Sequence, residues 1–314
     1  MSRIDSQQAG VAMVLVLALT ALLTIMAGSY TLSMRRELDL ARNIRDQAQA
    51  LALAESGIQY AQMMLLVNDQ QKRWRGDGTE YQRQYGGGEF KVKIIEETGK
   101  ININKAESPL LKGLLESTGL EEEQADEIVD AILDWRDNDE FARLHGAEKS
   151  EYESEGLPYQ PRNDSFQTIE ELQLVLGINP VVFSELERLV TIYNDKAGID
   201  PTKASREVLL AIPGVEPETI DSYLADRRKA AEDNLPAPAF PVTSEIPFEQ
   251  QTDNVYSIES QGILTTGAMA TVFTTIQTST GKARGPFSTL SWKKLFGQRV
   301  RHKRNVNDEQ GRAS

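Results

Sequence analysis

The chain has no cysteine among its 314 residues, which excludes disulfides, thiolate metal sites and cysteine nucleophiles. Histidine is nearly absent as well, His145 and His302 being its two copies. No G-x-S-x-G, H-E-x-x-H or glycine-rich phosphate loop occurs, so the sequence reads as non-enzymatic despite its many carboxylates. Cations are outnumbered: 34 Lys and Arg stand against 47 Asp and Glu, a formal net charge of -13. That balance argues against a nucleic-acid or anionic-membrane surface. The exception is a basic C-terminal stretch with Lys293, Lys294, Arg299, Arg301, Lys303 and Arg304, whose end at 298–314 is expected to be a disordered tail. Helix breakers are scarce at the start. No proline precedes Pro109, and Gly28 and Gly57 are the only glycines from Val11 to Trp74.

What those first residues hold is a long apolar run, uncharged from Val11 to Leu32. A secretory signal core is about 7–15 residues, whereas a bilayer-spanning helix needs about 20. Thr20, Thr24, Ser29, Tyr30 and Thr31 are its polar interruptions, and such hydroxyls bond back to helix carbonyls. Beyond the run, Leu38, Ala41, Ile44, Ala48, Leu51, Ile58, Ala61 and Leu65 recur at helical spacing, so the helix continues. One helix of about 60 residues reaches on the order of 90 Å, half of it outside the membrane. Its outer apolar stripe needs the head or sister subunits as a partner. The charge count, Arg3 on one side against Arg35, Arg36, Arg42 and Arg45 on the other, would by itself put the bulk of the chain in the cytoplasm.

After the Gly86-Gly87-Gly88 run, alternation predicts strands from Phe90 to Ile95 and around Ile101 to Ile103, beginning a sheet that resumes at Asn254–Ile263, Ala268–Thr278 and Phe287–Leu295. Between them lies a helical block, linked back to the sheet by the proline-rich stretch Leu235–Pro247. The block contains a weak internal repeat beginning at Ile101 and again at Gly198, each copy running through a helix and a Gly-centred turn (Gly119, Gly214) into another helix. The second copy, IPGVEPETIDSYL, is close to a helix-hairpin-helix, which in other proteins grips a DNA phosphate with backbone amides. Glu216 and Glu218 would face that anion, and Arg227, Arg228 and Lys229 sit at the far end of the second helix, which favours a packing role. A membrane-tethered DNA-binding protein of the competence type is the alternative reading, and a salt-dependent gel shift separates the two.

A short polar leader ending in Gly10, the helix start VAMVLVLALTALLT, then ALAESGI, GKININKA, ILDWRDND, HGAEKSEY, PRNDSFQTIEEL and AGIDPTKASREVLLAIPG together resemble the type II secretion system protein K family, the large minor pseudopilins. The resemblance runs in order from about Gln8 to Leu295 and rests on the set rather than on any one motif. It implies an α+β fold: a long N-terminal transmembrane pilin helix and a pilin-type antiparallel sheet, with a large inserted α-helical domain carrying the helix-hairpin-helix-like repeats. The corresponding divisions are a prepilin leader at 1–10, the helix at 11–70, the sheet at 71–104 and 248–297, the inserted domain at 105–247 and the tail at 298–314. It further implies cleavage after Gly10 and methylation of Val11 by a prepilin peptidase, and a single-pass inner-membrane protein with its C-terminal head in the periplasm. Its partners would be other minor pseudopilins in a complex at the pseudopilus tip, with secreted proteins as further partners. Pilin-type subunits usually carry Glu at the fifth mature position, and this chain, like the family, departs from that at Leu15. A carboxylate in the bilayer core costs about 2.5–3.5 kcal/mol unless it meets a charge, in pilins the amino terminus of a neighbour. A subunit lacking it suits the tip; the bland alternative is one more membrane leucine.

The other informative cluster is acidic. Asp126, Asp130 and Asp134 fall on one helical face, and Asp137, Asp139 and Glu140 crowd the helix C-terminus, where the dipole also disfavours negative charge. Solvent with Arg136 and Arg143 is one form of compensation; a hard cation held by oxygens is the other. The candidate ligands are Asp134, Asp137, Asp139, Glu148 and Glu151, in a spacing that is not an EF-hand. Calcium is the expected ion, and calcium binding in the inserted domain is also what the family resemblance implies.

Overall fold

The structure is a computed structural model that describes residues 6–233, 235–241, 247–248, 255–278 and 285–297. The first half of the expected leader and the tail at 298–314 lie outside these residues. The chain runs α1 (Ser6–Leu65), β1 (Asp77–Tyr85), β2 (Gly88–Glu96), β3 (Ile101–Asn102), α2 (Ser108–Ser117), α3 (Glu122–Arg136), α4 (Lys149–Ser154), α5 (Pro180–Leu186), β4 (Val190–Thr191), α6 (Arg206–Leu210), α7 (Pro217–Glu232), β5 (Val255–Leu264), β6 (Met269–Thr278) and β7 (Phe287–Gly297).

Helix α1 is one uninterrupted 60-residue element, ending at Leu65 rather than at 70. From Met13 its N-terminal half is exposed and has a mean hydropathy of 2.1 over its most apolar window, long and apolar enough to cross a membrane. The hydroxyls of Thr20, Thr24, Ser29 and Thr31 each donate to a carbonyl one turn back, at 2.8–3.1 Å, so none is left unbonded in an apolar surrounding. From Ala50 onward the same helix is buried: Ala50, Leu53, Ala54, Ile58, Ala61 and Leu65 form a stripe facing the sheet.

That sheet is antiparallel, in the order β1-β2-β5-β6-β7. β2 alternates throughout and β5 from Tyr256 onward, presenting Phe90, Val92, Ile94, Tyr256 and Ile258 to α1. Helix and sheet approach closely at two glycines. A Cβ on Gly57 would run into the Ser260 hydroxyl, and one on Gly262 into the Ala50 carbonyl. The β1–β2 connection is a two-residue hairpin with Gly86 and Gly87 both at positive φ (58° and 82°), the conformation that matches strand twist. Lys293 and Lys294, counted above with the basic end, belong to β7, and each forms an ion pair, with Glu187 at 3.4 Å and Glu55 at 2.8 Å.

The segment around Ile101–Ile103 does not belong to this sheet. Ile101 and Asn102 pair in parallel with Val190 and Thr191, forming a small sheet of their own inside the helical block. The 71–104 stretch therefore contributes β1 and β2 to the large sheet and β3 to the block. Two helix–turn–helix pairs lie in the block, α2–α3 turning at Gly119 and α6–α7 at Gly214, both with positive φ. The pairs touch where a Cβ on Gly113 would meet the Ala211 carbonyl. Their apolar faces share one core that includes Leu110, Leu114, Ile132, Trp135, Leu209 and Ile220.

Block and sheet are joined by a buried polar knot. The fully buried Glu97 pairs with Lys100 at 2.8 Å, and Lys100 donates to the Ser257 hydroxyl of β5 at 3.0 Å. Asn194, after β4, donates to the Glu97 carbonyl at 2.6 Å. Buried polar groups without such partners would each cost about 1–3 kcal/mol, so the knot fixes how the block sits on the sheet.

Candidate metal centre

α3 ends at Arg136 because its apolar periodicity stops there, and Asp137 caps it, donating its amide to the Leu133 carbonyl at 3.1 Å. A loop then leads to Glu148, which precedes α4. The end of one helix, the loop and the start of the next bring three carboxylates together: one oxygen each from Asp137, Asp139 and Glu148 lie within 4.8 Å of one another. Asp139 is exposed, Asp137 half-buried and Glu148 buried. Asp137 Oδ1 and Glu148 Oε1 are buried and have no hydrogen-bond partner. Burial, then the negative charges of Asp134, Asp137, Asp139 and Glu140, push the Glu148 carboxyl up to about 7. Orphaned acceptors under mutual repulsion suit a hard cation held by oxygens.

A further unpartnered oxygen belongs to a residue the sequence did not single out, one tied to the backbone of Asp139. Asn163 sits at φ 52°, a left-handed conformation that Asn tolerates, and donates Nδ2 to the Asp139 carbonyl at 2.8 Å. Its Oδ1 is buried and unpartnered, like those of its acidic neighbours. The only local signal was an Asn-Asp pair in a loop.

The other two expected ligands are engaged elsewhere. Asp134, fully buried, accepts from the Arg143 guanidinium at 2.8 Å and the Arg143 amide at 3.1 Å. Burial pushes its carboxyl up against these bonds. Glu151 accepts from the Glu148 amide at 2.8 Å and the Ser150 hydroxyl at 2.7 Å, which holds its carboxyl below the usual range and fastens the start of α4. Both frame the cluster rather than complete it. Of the two arginines expected to compensate, Arg143 does so, reaching Asp137 at 2.6 Å as well as Asp134. Arg136 instead donates to the carbonyls of Ile103 and Ala106, and burial lowers its guanidinium to about 10. The two other aspartates of that α3 face have partners of their own: Asp126 pairs with Lys112 at 2.8 Å and Asp130 accepts from the His145 amide at 3.1 Å.

Gly10 and Val11 lie within α1, four and five residues after its first residue, Ser6. Leu15 is on the exposed apolar part of the same helix. In the second helix–turn–helix, Glu216 immediately precedes α7 without a side-chain capping bond, and Glu218 lies in its first turn. Arg227 is turned inward, donating to the carbonyls of Pro201 and Ala204 at 2.8 Å each, so it does not face a ligand at the turn.

Comparison with known proteins bears on the whole arrangement. The protein-family description "Type II secretion system (T2SS), protein K" matches residues 88–195, which contain β2, the α2–α3 pair and the acidic cluster. The chain is similar to the type II secretion system protein K of Pseudomonas aeruginosa, 26% identical over 243 residues that cover 70% of this chain and 72% of that protein. It is similar to the putative type II secretion system protein K of Escherichia coli K12, 27% identical over 205 residues. That match covers 58% of this chain and spans less than two thirds of the relative's length, 62%. The Aeromonas hydrophila protein K is 26% identical over 277 residues, covering 74% of this chain and 82% of its own. Among solved structures, a chain of the GspK-GspI-GspJ complex from enterotoxigenic Escherichia coli shares the fold, with a TM-score of 0.51 at 15% identity, covering 84% of this chain and 99% of that one.

Proposed function

We propose that this chain, similar over most of its length to type II secretion system K proteins, is a minor pseudopilin that works at the tip of the pseudopilus, helps initiate it, and so supports protein export across the outer membrane. The observation that carries this is α1: its exposed apolar half leads without a break into a half packed on an antiparallel sheet, making anchor and assembly rod one element. A structural relative crystallised with GspI and GspJ supports partners of the same kind, other minor pseudopilins. Leu15 puts no carboxylate into the bilayer core and so needs no amine from a preceding subunit, which suits the first position of a fibre. The head is periplasmic under this proposal, against the arginine count after the apolar run, because pseudopilin assembly proceeds on that side.

In the inserted block, Asp137, Asp139, Glu148 and the Asn163 side-chain oxygen would hold one Ca²⁺. The ion would supply positive charge where Arg143 alone meets several carboxylates, clamping the end of α3 to the loop and to α4. Its role is structural, and no step of chemistry is assigned to it.

Processing tests the proposal directly. A prepilin peptidase cutting after Gly10 leaves Val11 as a methylated terminus, so intact-mass analysis of the membrane-extracted protein should find a chain that begins there. A chain starting at Met1, or one cut near Ala27 by a signal peptidase, overturns it.

A further inference from the structure

The most exposed large apolar side chains described here are not on the membrane helix. Phe141 is 83% exposed and Leu144 88%, whereas the highest value in the apolar half of α1 is 69%, at Ile25. Isolated exposed apolar residues are ordinary, but two that share one short loop and are both uncovered are not. The loop that carries them is held at several points. The Phe141 amide donates to Asp139 at 2.9 Å, Arg143 is pinned by backbone and side chain to Asp134, and the His145 amide donates to Asp130 at 3.1 Å. Every second or third residue is tied down while those at 141 and 144 project. Ordering this loop is therefore already complete before anything binds.

We propose that Phe141 and Leu144 form a two-pronged docking knuckle for a protein partner that offers an apolar pocket with a basic rim. Asp139 and Asp130 are tied to this loop through the Phe141 and His145 amides, Glu140 adjoins Phe141 in the chain, and Glu122, Glu123 and Asp126 line the groove beside His145, while the chain's net charge of -13 has the same sign. Such surroundings repel an anionic lipid surface and attract a pocket ringed by Lys and Arg. The apolar prongs supply affinity, burial of each accounting for about tenfold to a hundredfold in Kd. The acidic collar supplies orientation and encounter rate. The exposure and the charge stand apart from the proposed function, which enters only in the choice of cells for the test, and of these acids Asp139 alone is also a candidate cation ligand.

The absence of native cysteine makes the test clean. Full-length Phe141→Cys, labelled with a benzophenone maleimide in cells that carry the chain's own export machinery, is photolysed with Leu144 intact and in a Leu144→Asp background. One predominant protein adduct is expected, attached through apolar residues flanked by Lys or Arg, with its yield at least tenfold lower in Leu144→Asp. The captured protein, once purified, should bind the unlabelled full chain at least tenfold more tightly than it binds Phe141→Ser. Both side chains are exposed, so the variants should melt like the parent. Adducts to lipid, adducts scattered over many proteins, no adduct, a yield indifferent to Leu144→Asp, or equal binding by Phe141→Ser each overturns the proposal.

Discussion

Replacing Glu148 with Gln should make the protein more stable without calcium and less responsive to it. Burial and four neighbouring acids raise this carboxyl from 4.5 to about 7, so the folded chain holds the proton more tightly than the unfolded chain does. The favourable contribution of Glu148 is thus complete below pH 4.5 and is lost as the pH climbs to about 7. A rise of that size corresponds to about 3 kcal/mol at pH 8, the upper bound on what Glu148→Gln returns in chelator. For a head of this length that is a melting increase of about 6–12 °C, shrinking to nothing near pH 4. Calcium reverses the order. The parent gains about 2.7 kcal/mol at a hundredfold excess over Kd, and the Gln variant, with one ligand charge removed, should gain little. The assay is thermal melting of the full chain in detergent, followed by tryptophan fluorescence, since Trp135 is buried in the core beside the cluster. A Gln variant that is less stable than the parent at pH 8 in chelator, or that gains as much from calcium, refutes both the repulsion and the site.

Other perturbations have equally definite outcomes. Asn163→Gly keeps the left-handed backbone at φ 52° and removes Oδ1, so calorimetry should find calcium affinity reduced with the fold retained. Gly57→Ala forces a methyl against Ser260, Val92 and Phe90 and should cost about 1–3 kcal/mol in denaturant melts, whereas Gly28→Ala, with nothing near it, should be neutral or slightly stabilising. Leu15→Glu adds an acid costing about 2.5–3.5 kcal/mol in the bilayer core and should lower secretion while sparing the head's partner binding; Leu15→Ala should be mild. Secretion by Leu15→Glu at the parental level with the subunit still at the tip would make Leu15 an ordinary membrane leucine.

The elements legible in the sequence were those whose signal is local and periodic. α1 needed only helical spacing without proline, and β5, β6 and β7 only alternation. β1 escaped because Asp77–Tyr85 is a polar edge strand, DGTEYQRQY, with no buried face to alternate against. Ile101–Asn102 was assigned to the wrong sheet because two residues carry no signal for their partner, which lies some ninety positions away at Val190–Thr191. The acidic cluster was legible as charge density, since like charges at a helix end demand a counterion. Which carboxylates converge was not, because that depends on Arg143 taking Asp134 and on Glu151 turning back to the Glu148 amide. Asn163 joins only through tertiary contact.

The central claim is that this chain is a minor pseudopilin that assembles with others of its kind. Its most direct test is to co-express the full-length chain with the two minor pseudopilins of its own secretion system, extract the membranes, and determine composition by native mass spectrometry. A stable complex with one copy of each subunit, this one beginning at Val11, is the predicted result. A chain that is recovered alone while the other two still pair with each other contradicts the claim.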